Sequence, residues 1–404
     1  MVSFKSINDR PTPSGIRINE LDIFRGFAIL GIFMVNILVM NVCFLYREEW
    51  EAEQMGWIQS ASFFILENFF YSKFYTIFSL LFGIGVAIQF RRSMERKTYQ
   101  RSFFLRRFIS LFLFGVLHIV FIWAGDILHL YGMMGLMLMF FFKLPKKILL
   151  WISILVFLFP FYGFILQEVY NWLDFNNYGP LSKLSRETII ELKHNGSYFS
   201  GIILRLKEYA FASELIYAGI APIAFSMMLL GGYLVKKNVF DNIPFWVKRV
   251  QLPLLISLGI LLVYRFTILY WVVPNFNLER GSALSIFLMT IFQLSDIALS
   301  LSFLWTIAYL YQKDFFRKIL FPLSYVGRMA FSNYILQSVL GYLIMRTFNF
   351  YESFSAFGCI LLVIGIYLFQ IVISKWWLKR FQFGPLEWLW RCISYWKLLS
   401  IRLK

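Results

Sequence analysis

The chain has 404 residues, of which 59 % are hydrophobic, 21 % aromatic and only 15 % charged, and Phe alone occurs 48 times. A soluble protein uses roughly 25 % charged residues, and a chain of this size cannot hide so much apolar surface within itself, so two or three soluble domains are excluded and lipid must cover the excess. The net charge of +17 is spread as short basic blocks between apolar runs, the pattern of membrane topology and not of a phosphate groove, so no nucleic-acid partner is expected.

Residues 1–20 form a polar lead with Pro11, Pro13 and Gly15, and no cleavable signal peptide is expected there. The first span is predicted at about 22–44, followed by an acidic loop with Glu48, Glu49, Glu51 and Glu53. Residues 57–70 are apolar but carry Glu67 and Asn68. They are expected to lie at the interface or dip into the membrane before a second span at 71–90. A block with seven Lys or Arg, from Arg91 to Arg107, separates it from spans at 108–125 and 127–144, which only Asp126 divides. A fifth span at 148–167 is expected to kink at Pro160.

The stretch 168–214 is the one long polar insertion, read as a small helical excursion outside the membrane. Five more spans are predicted at 215–235, 252–273, 283–311, 324–345 and 354–377, each long enough to cross. The organisation is thus a lead (1–20), a first bundle half (21–167), the excursion (168–214), a second half (215–377) and an amphipathic tail (378–404). With the N-terminus inside, the inner segments hold 29 Lys and Arg and the outer loops eight. The expected fold is an all-α polytopic transmembrane bundle of about ten spans with both termini cytoplasmic, in the bacterial plasma membrane and in contact with its lipids.

Polar groups inside such spans are costly and carry a functional hypothesis by default. At 100° per residue, Arg25 and Asn36 project about 20° apart, with Asp22 about 40° from Asn36, so the three form one narrow stripe. Asp22 and Arg25 can also pair with each other and anchor the helix. Arg265 and Asp296 fall at matching depths on antiparallel neighbours, either as an ion pair that sets helix register or as part of a substrate or proton path. Lys73 either snorkels to the outer surface or pairs with Glu67.

His118 is the one histidine deep in a span, with Asp126 and His129 a half-turn further out. An imidazole beside a carboxylate can serve as a general base, and equally can bond a neighbouring helix. His129 is expected nearer the surface, and His194 lies in the excursion with no visible partner. Asn333 and Gln337, four apart, share a face with Ser332 and Ser338 nearby; such groups are more often bonds between helices than ligands. The tail helix from Pro385 reads as an interfacial anchor, with Glu387 and Arg391 spaced to pair across the cytoplasmic mouth. Cys43, Cys359 and Cys392 are far apart, and no disulfide framework or metal spacing is visible. No phosphate loop, GxSxG elbow, HExxH or Rossmann glycine pattern occurs.

Five separated blocks, LDIFRGFAILGIFMVN at 21–36, YSKFYTIFSLLFGIG at 71–85, LFGVLHIVFIWAGDILHLYG at 113–132, GRMAFSNYILQS at 327–338 and FGPLEWLWR at 383–391, resemble the YeiB-like family of bacterial multi-pass membrane proteins of undefined function. The Asp-xx-Arg-Gly start of the first span is more distantly similar to heparan-alpha-glucosaminide N-acetyltransferases and to membrane O-acyltransferases of surface sugars. That resemblance implies acyl transfer from a cytoplasmic thioester, such as acetyl or acyl coenzyme A, to a small-molecule or glycan acceptor of the cell envelope. The catalytic histidine that such acetyltransferases carry just beyond the first span has no counterpart in 46–57, and Asn36 stands where the O-acyltransferases place a histidine.

Under that implication His118 is the base, oriented by Asp126, and Arg25 holds a donor phosphate. Asp22, Asn36, Lys73, Arg265, Asp296, Asn333 and Gln337 complete the candidate substrate-binding and donor-binding set. Two other classes are carried beside it: a transporter with a polar path past Arg265, Asp296 and His118, and a non-catalytic membrane scaffold.

Overall fold

The computed structural model describes residues 18–173, 181–276 and 282–403. Most of the predicted lead, residues 174–180 near the start of the predicted excursion and the short connection ahead of the eighth predicted span lie outside them. Helix makes up 83 % of the described residues, with no strand among them beyond one isolated bridge between Phe381 and Arg402.

The helices run in order α1 (Asn19–Asn41), α2 (Arg47–Glu53), α3 (Trp57–Ile65), α4 (Lys73–Glu95), α5 (Arg101–Phe121), α6 (Leu128–Phe141), α7 (Lys146–Leu158), α8 (Tyr162–Trp172), α9 (Arg186–His194) and α10 (Tyr198–Glu214). They continue as α11 (Ala221–Lys236), α12 (Ile243–Thr267), α13 (Val273–Asn275), α14 (Ala283–Tyr311), α15 (Asp314–Leu320), α16 (Leu323–Arg328), α17 (Ala330–Tyr342), α18 (Ala356–Leu378) and α19 (Pro385–Tyr395).

Among the described residues, seven helical stretches are long and apolar enough to cross a membrane, or eight if the bent pair α7 and α8 is counted as one span. Every one of the ten predicted spans has a helical counterpart, but α6 is short and the ninth is interrupted at Met329 between α16 and α17. Pro160 lies in the break between α7 and α8, which bend by 68°, because proline removes a donor and clashes with the preceding turn. In the C-terminal part of the predicted excursion, α10 runs through a π turn at Leu215–Ile220 into α11, making one helical stretch of 39 residues. Likewise 57–70 is continuous in direction with α4, joined through a π turn and Ser72 at φ 67°.

Side chains start several of these helices. Ser185, Ser197, Asn242, Ser282 and Ser355 each accept a backbone N–H in the first turn of α9, α10, α12, α14 and α18, satisfying donors that have no partner within the helix.

Three helix pairs touch backbone to backbone through reciprocal glycines. A Cβ on Gly26 would stand 2.1 Å from the Leu323 carbonyl oxygen and one on Gly327 1.8 Å from that of Asp22, locking α1 to α16. Gly83 and Gly231 meet the backbones of Met228 and Leu80 in the same way between α4 and α11, and Gly115 and Gly132 those of His129 and Phe112 between α5 and α6. In lipid the hydrophobic effect does not drive helices together, so such close approach supplies the packing. Ser153 and Ser226 add reciprocal bonds to each other's carbonyl oxygens, both 2.8 Å, between α7 and α11. The tail is not a free surface anchor. Helix α19 packs on α5 and α17, with Trp390 Nε1 donating to the Arg107 carbonyl at 2.7 Å and Arg106 Nε to that of Ser394 at 3.0 Å.

Candidate functional site

Two cavities lie along one face of α1. The larger, about 400 Å³, is lined by Asn36, Asp126, Tyr75, Glu208 and Asp296 among mostly apolar side chains. The smaller, about 230 Å³, gathers Asp22, Arg25, Arg107, Arg328, Glu387 and Arg391. Ile32, Ile127 and Tyr334 line both, forming the layer that divides them. The predicted stripe is therefore real as a surface but is cut in two: Asp22 and Arg25 face the basic cavity, Asn36 the larger one. The 11-residue interval from Arg25 to Asn36 spans about 16 Å of helix, so the cavities lie at different levels along the bundle.

Beside the dividing layer sits the predicted histidine and carboxylate. His118 Nδ1 is 2.8 Å from Oδ2 of Asp126. His129, which was expected nearer the surface, is buried on the other oxygen, with its backbone N–H at 2.9 Å and Nδ1 at 3.0 Å from Oδ1. A carboxylate only accepts, so both rings donate through Nδ1; in a neutral ring Nε2 is then the acceptor. Nε2 of His129 takes the Tyr209 hydroxyl at 2.9 Å, which itself lies 2.7 Å from that of Tyr217. Nε2 of His118 is buried with no partner. The His118 ring faces Tyr334, with centroids 5.5 Å apart, and Trp123 at 6.4 Å. Gly115 makes room for the arrangement, since a Cβ there would stand 2.6 Å from Oδ1 of Asp126.

In the smaller cavity Arg25 donates to Asp22 at 2.9 Å. Arg107 lies over the Trp390 ring at 3.6 Å, and its Nε and Nη1 are buried without acceptors. Arg391 stacks on Phe383 at 4.5 Å. Glu387 is engaged at the start of α17, accepting from the backbone N–H of Phe331 at 2.7 Å and of Ser332 at 3.0 Å and from the Ser332 hydroxyl.

The predicted pair of Arg265 and Asp296 is present at 2.6 Å, with Ser295 also accepting from Arg265. Lys73 neither snorkels nor pairs with the Glu67 side chain. It is fully buried, donates to the Glu67 carbonyl at 3.2 Å and contacts the same Asp296 oxygen at 2.7 Å. A cation 0 % exposed needs a carboxylate, and Asp296 is the one within reach. Asn333 and Gln337 are used between helices: Asn333 bonds Ser374 at 3.0 Å, and Gln337 bonds Gln370 at 2.9 Å. Neither lines either of these two cavities.

His129, Tyr209 and Tyr217 were not foreseen as partners of the site. The signal available for His129 was its position three residues beyond Asp126 at the start of α6, where a side chain folds back on the carboxylate that receives its N–H. Nothing local marks Tyr209, which arrives on the long extension α10.

The fold and these buried ionisable groups define a polytopic helical membrane protein with a polar interior. Residues 234–397 match a family described as a protein of unknown function, DUF418. The chain is 29 % identical to the uncharacterised protein YxaH of Bacillus subtilis strain 168, covering 98 % of this chain and 99 % of that one. It is 28 % identical to an uncharacterised 39.9 kDa protein of the amylase 3′ region in Bacillus acidopullulyticus, over 96 % of each. The uncharacterised protein YeiB of Escherichia coli strain K12 is 24 % identical over 93 % of this chain and 95 % of its own. Together these matches support a YeiB-like family for the chain, as the five sequence blocks imply. None of these descriptions names an acyltransferase. No solved structure matches.

Proposed function

We propose that this protein is an integral-membrane acyltransferase of the bacterial plasma membrane. The basic cavity, assigned to the cytoplasm by the distribution of Lys and Arg, takes a thioester donor such as acyl coenzyme A. The larger cavity takes a hydroxyl-bearing or amine-bearing acceptor of the cell envelope. The observation that carries this reading is the unpartnered Nε2 of His118, on a ring that faces Tyr334 of the dividing layer and is fixed by Asp126 through Nδ1.

That geometry suits a general base. Nε2 of His118 accepts the acceptor's proton as its oxygen or nitrogen attacks the thioester carbonyl, and the same proton passes to the departing thiolate, giving the acylated acceptor and a free thiol. Arg107, with two buried N–H groups and no acceptor, and Arg25 beside it fit a phosphate of the donor. The cavity of about 230 Å³ admits the phosphate-bearing part and not a whole coenzyme. Tyr334 covers His118 toward both cavities, so the reading requires its ring to swing when the acceptor enters.

The test uses the full chain purified in detergent. Millimolar acetyl coenzyme A is expected to raise the unfolding midpoint and to transfer label to an envelope lipid extract. Arg25→Ala lowers the donor-induced shift, whereas His118→Gln keeps the shift and loses transfer. No donor-induced shift in the unmodified protein overturns the reading.

A transporter is the second reading, favoured by the two cavities meeting at the three-residue layer of Ile32, Ile127 and Tyr334. Solute flux in proteoliposomes that survives His118→Gln would decide for it.

A further inference from the structure

The end of the bundle away from Asp22 and Arg25 holds a second cationic cluster that the transfer reading does not use. Arg205 of α10 is 3 % exposed. Its Nε donates to the Val120 carbonyl at 2.9 Å, while its Nη2 is buried with no acceptor. Arg346, in the π turn after α17, comes from the opposite side and donates from Nη2 to the Gly196 carbonyl. Both guanidiniums flank the ring of Tyr342, at 5.6 and 5.8 Å.

The two cations converge on the bare face of Gly201. A Cβ there would stand 2.7 Å from Nη1 of Arg346 and 3.4 Å from Nη1 of Arg205, close enough for one ion to touch both. Between them is a cavity of about 40 Å³, lined by Lys193, Arg205 and Arg346 and by no acidic side chain. Lys193 is already taken by Glu208 at 2.8 Å. Neither arginine has a carboxylate partner among the described residues. Two guanidiniums held together in a half-buried site, with an N–H unsatisfied, are unfavourable until a negative charge sits between them.

We propose that this cavity binds a compact monovalent anion, a chloride ion or a single carboxylate group, between Arg205 and Arg346 over Gly201. The volume admits an ion with one or two waters and excludes a nucleotide or sugar phosphate. Guanidinium is the matching donor because it is always charged and presents several N–H groups in one plane. The anion ties α10 to the end of α17, and Trp123, which lines both this cavity and the larger one, is the wall between them. The site stands whether or not the chain transfers acyl groups.

The test is thermal unfolding of the full chain in detergent, in sodium chloride, sodium acetate or sodium gluconate at equal ionic strength, gluconate being too large to enter. Chloride or acetate at about ten times its dissociation constant is expected to raise the midpoint by about 2–4 °C over gluconate and to saturate. A chloride response identifies a free halide; a response to acetate alone identifies a carboxylate. Arg346→Gln and Gly201→Ala are expected to abolish the difference; the alanine only has to displace the flexible end of Arg346, so folding is retained. Equal midpoints in all three salts, or an anion response unchanged in both variants, overturns the proposal.

Discussion

Asp126 holds His118 by the Nδ1 edge, 2.8 Å from Oδ2, with both side chains sealed from solvent. A ring fixed in that way has its Nε2 edge oriented in advance, which is what the proposed general base requires once Tyr334 swings aside. Removing the base while keeping the shape separates the two roles. His118→Gln is expected to lower transfer by about 10²–10⁴-fold while leaving the unfolding midpoint within a few degrees. Initial rates with labelled donor, alongside the midpoint, check this; a variant that unfolds yet transfers at the normal rate per folded molecule would sink it.

The cluster of Lys73, Arg265 and Asp296 contains two cations on one carboxylate oxygen, at 2.7 and 2.6 Å. That asymmetry ranks its variants. Asp296→Asn leaves two buried positive charges without a counter-ion and is expected to cost about 3–5 kcal/mol. Lys73→Met leaves a neutral pair and is expected to be the mildest change. Arg265→Met lies between, since Asn68 and Ser295 lose a donor while the Glu67 carbonyl keeps that of Lys73. Denaturant unfolding in detergent measures the order; Lys73→Met as the most damaging would contradict it.

Much of this was legible in the residues. The bundle, the kink at Pro160 and the pairs of Arg265 with Asp296 and His118 with Asp126 follow from apolar length and from charges that lipid cannot tolerate alone. What escaped was set by long-range packing. Lys73 looked like a snorkelling residue because nothing near it in sequence announces that α14 brings Asp296 against it. Tyr209 joined the histidines because α10 runs on continuously into α11, which no local residue announces. The dividing layer of Ile32, Ile127 and Tyr334 consists of ordinary core residues, and it is known only from the cavities on either side.

The contact of Gly327 with Gly26 is the tightest of the three glycine crossings, with the added Cβ 1.8 Å from the Asp22 carbonyl oxygen. Backbone cannot yield as a side-chain tip can, so Gly327→Ala is expected to push α16 off α1 and to lower the folded yield severely. Gly365→Ala, which meets nothing within 4 Å, serves as the control and is expected to be neutral or slightly stabilising in α18. Fluorescence-detected size exclusion of the two variants reads the difference; comparable monodisperse yields would refute the crossing.

Arg186 clasps two carboxylates outside the spans, Glu53 through both oxygens, one at 2.9 Å, and Glu352 at 2.8 Å. The bonds from Arg186 hold the Glu53 carboxyl below its ordinary value of 4.5, and Glu53 and Glu352 together raise the Arg186 guanidinium further above its own. A lowered carboxyl contributes stability that is fully present above the unfolded value and is lost as pH falls through the folded one. The clasp between α2 and α9 is therefore expected to be intact at pH 6 and to loosen below about 4.5. Hydrogen exchange in 47–53 and 186–194 is expected to speed up between pH 6 and 3.5, after correction for intrinsic rates. Glu53→Gln is expected to show the faster exchange already at pH 6. Arg186→Lys, which cannot make the two-pronged bond, is expected to behave like Glu53→Gln at pH 6. Protection that is equal at both pH values in the unmodified chain would show that the contact carries no part of the outer-loop structure.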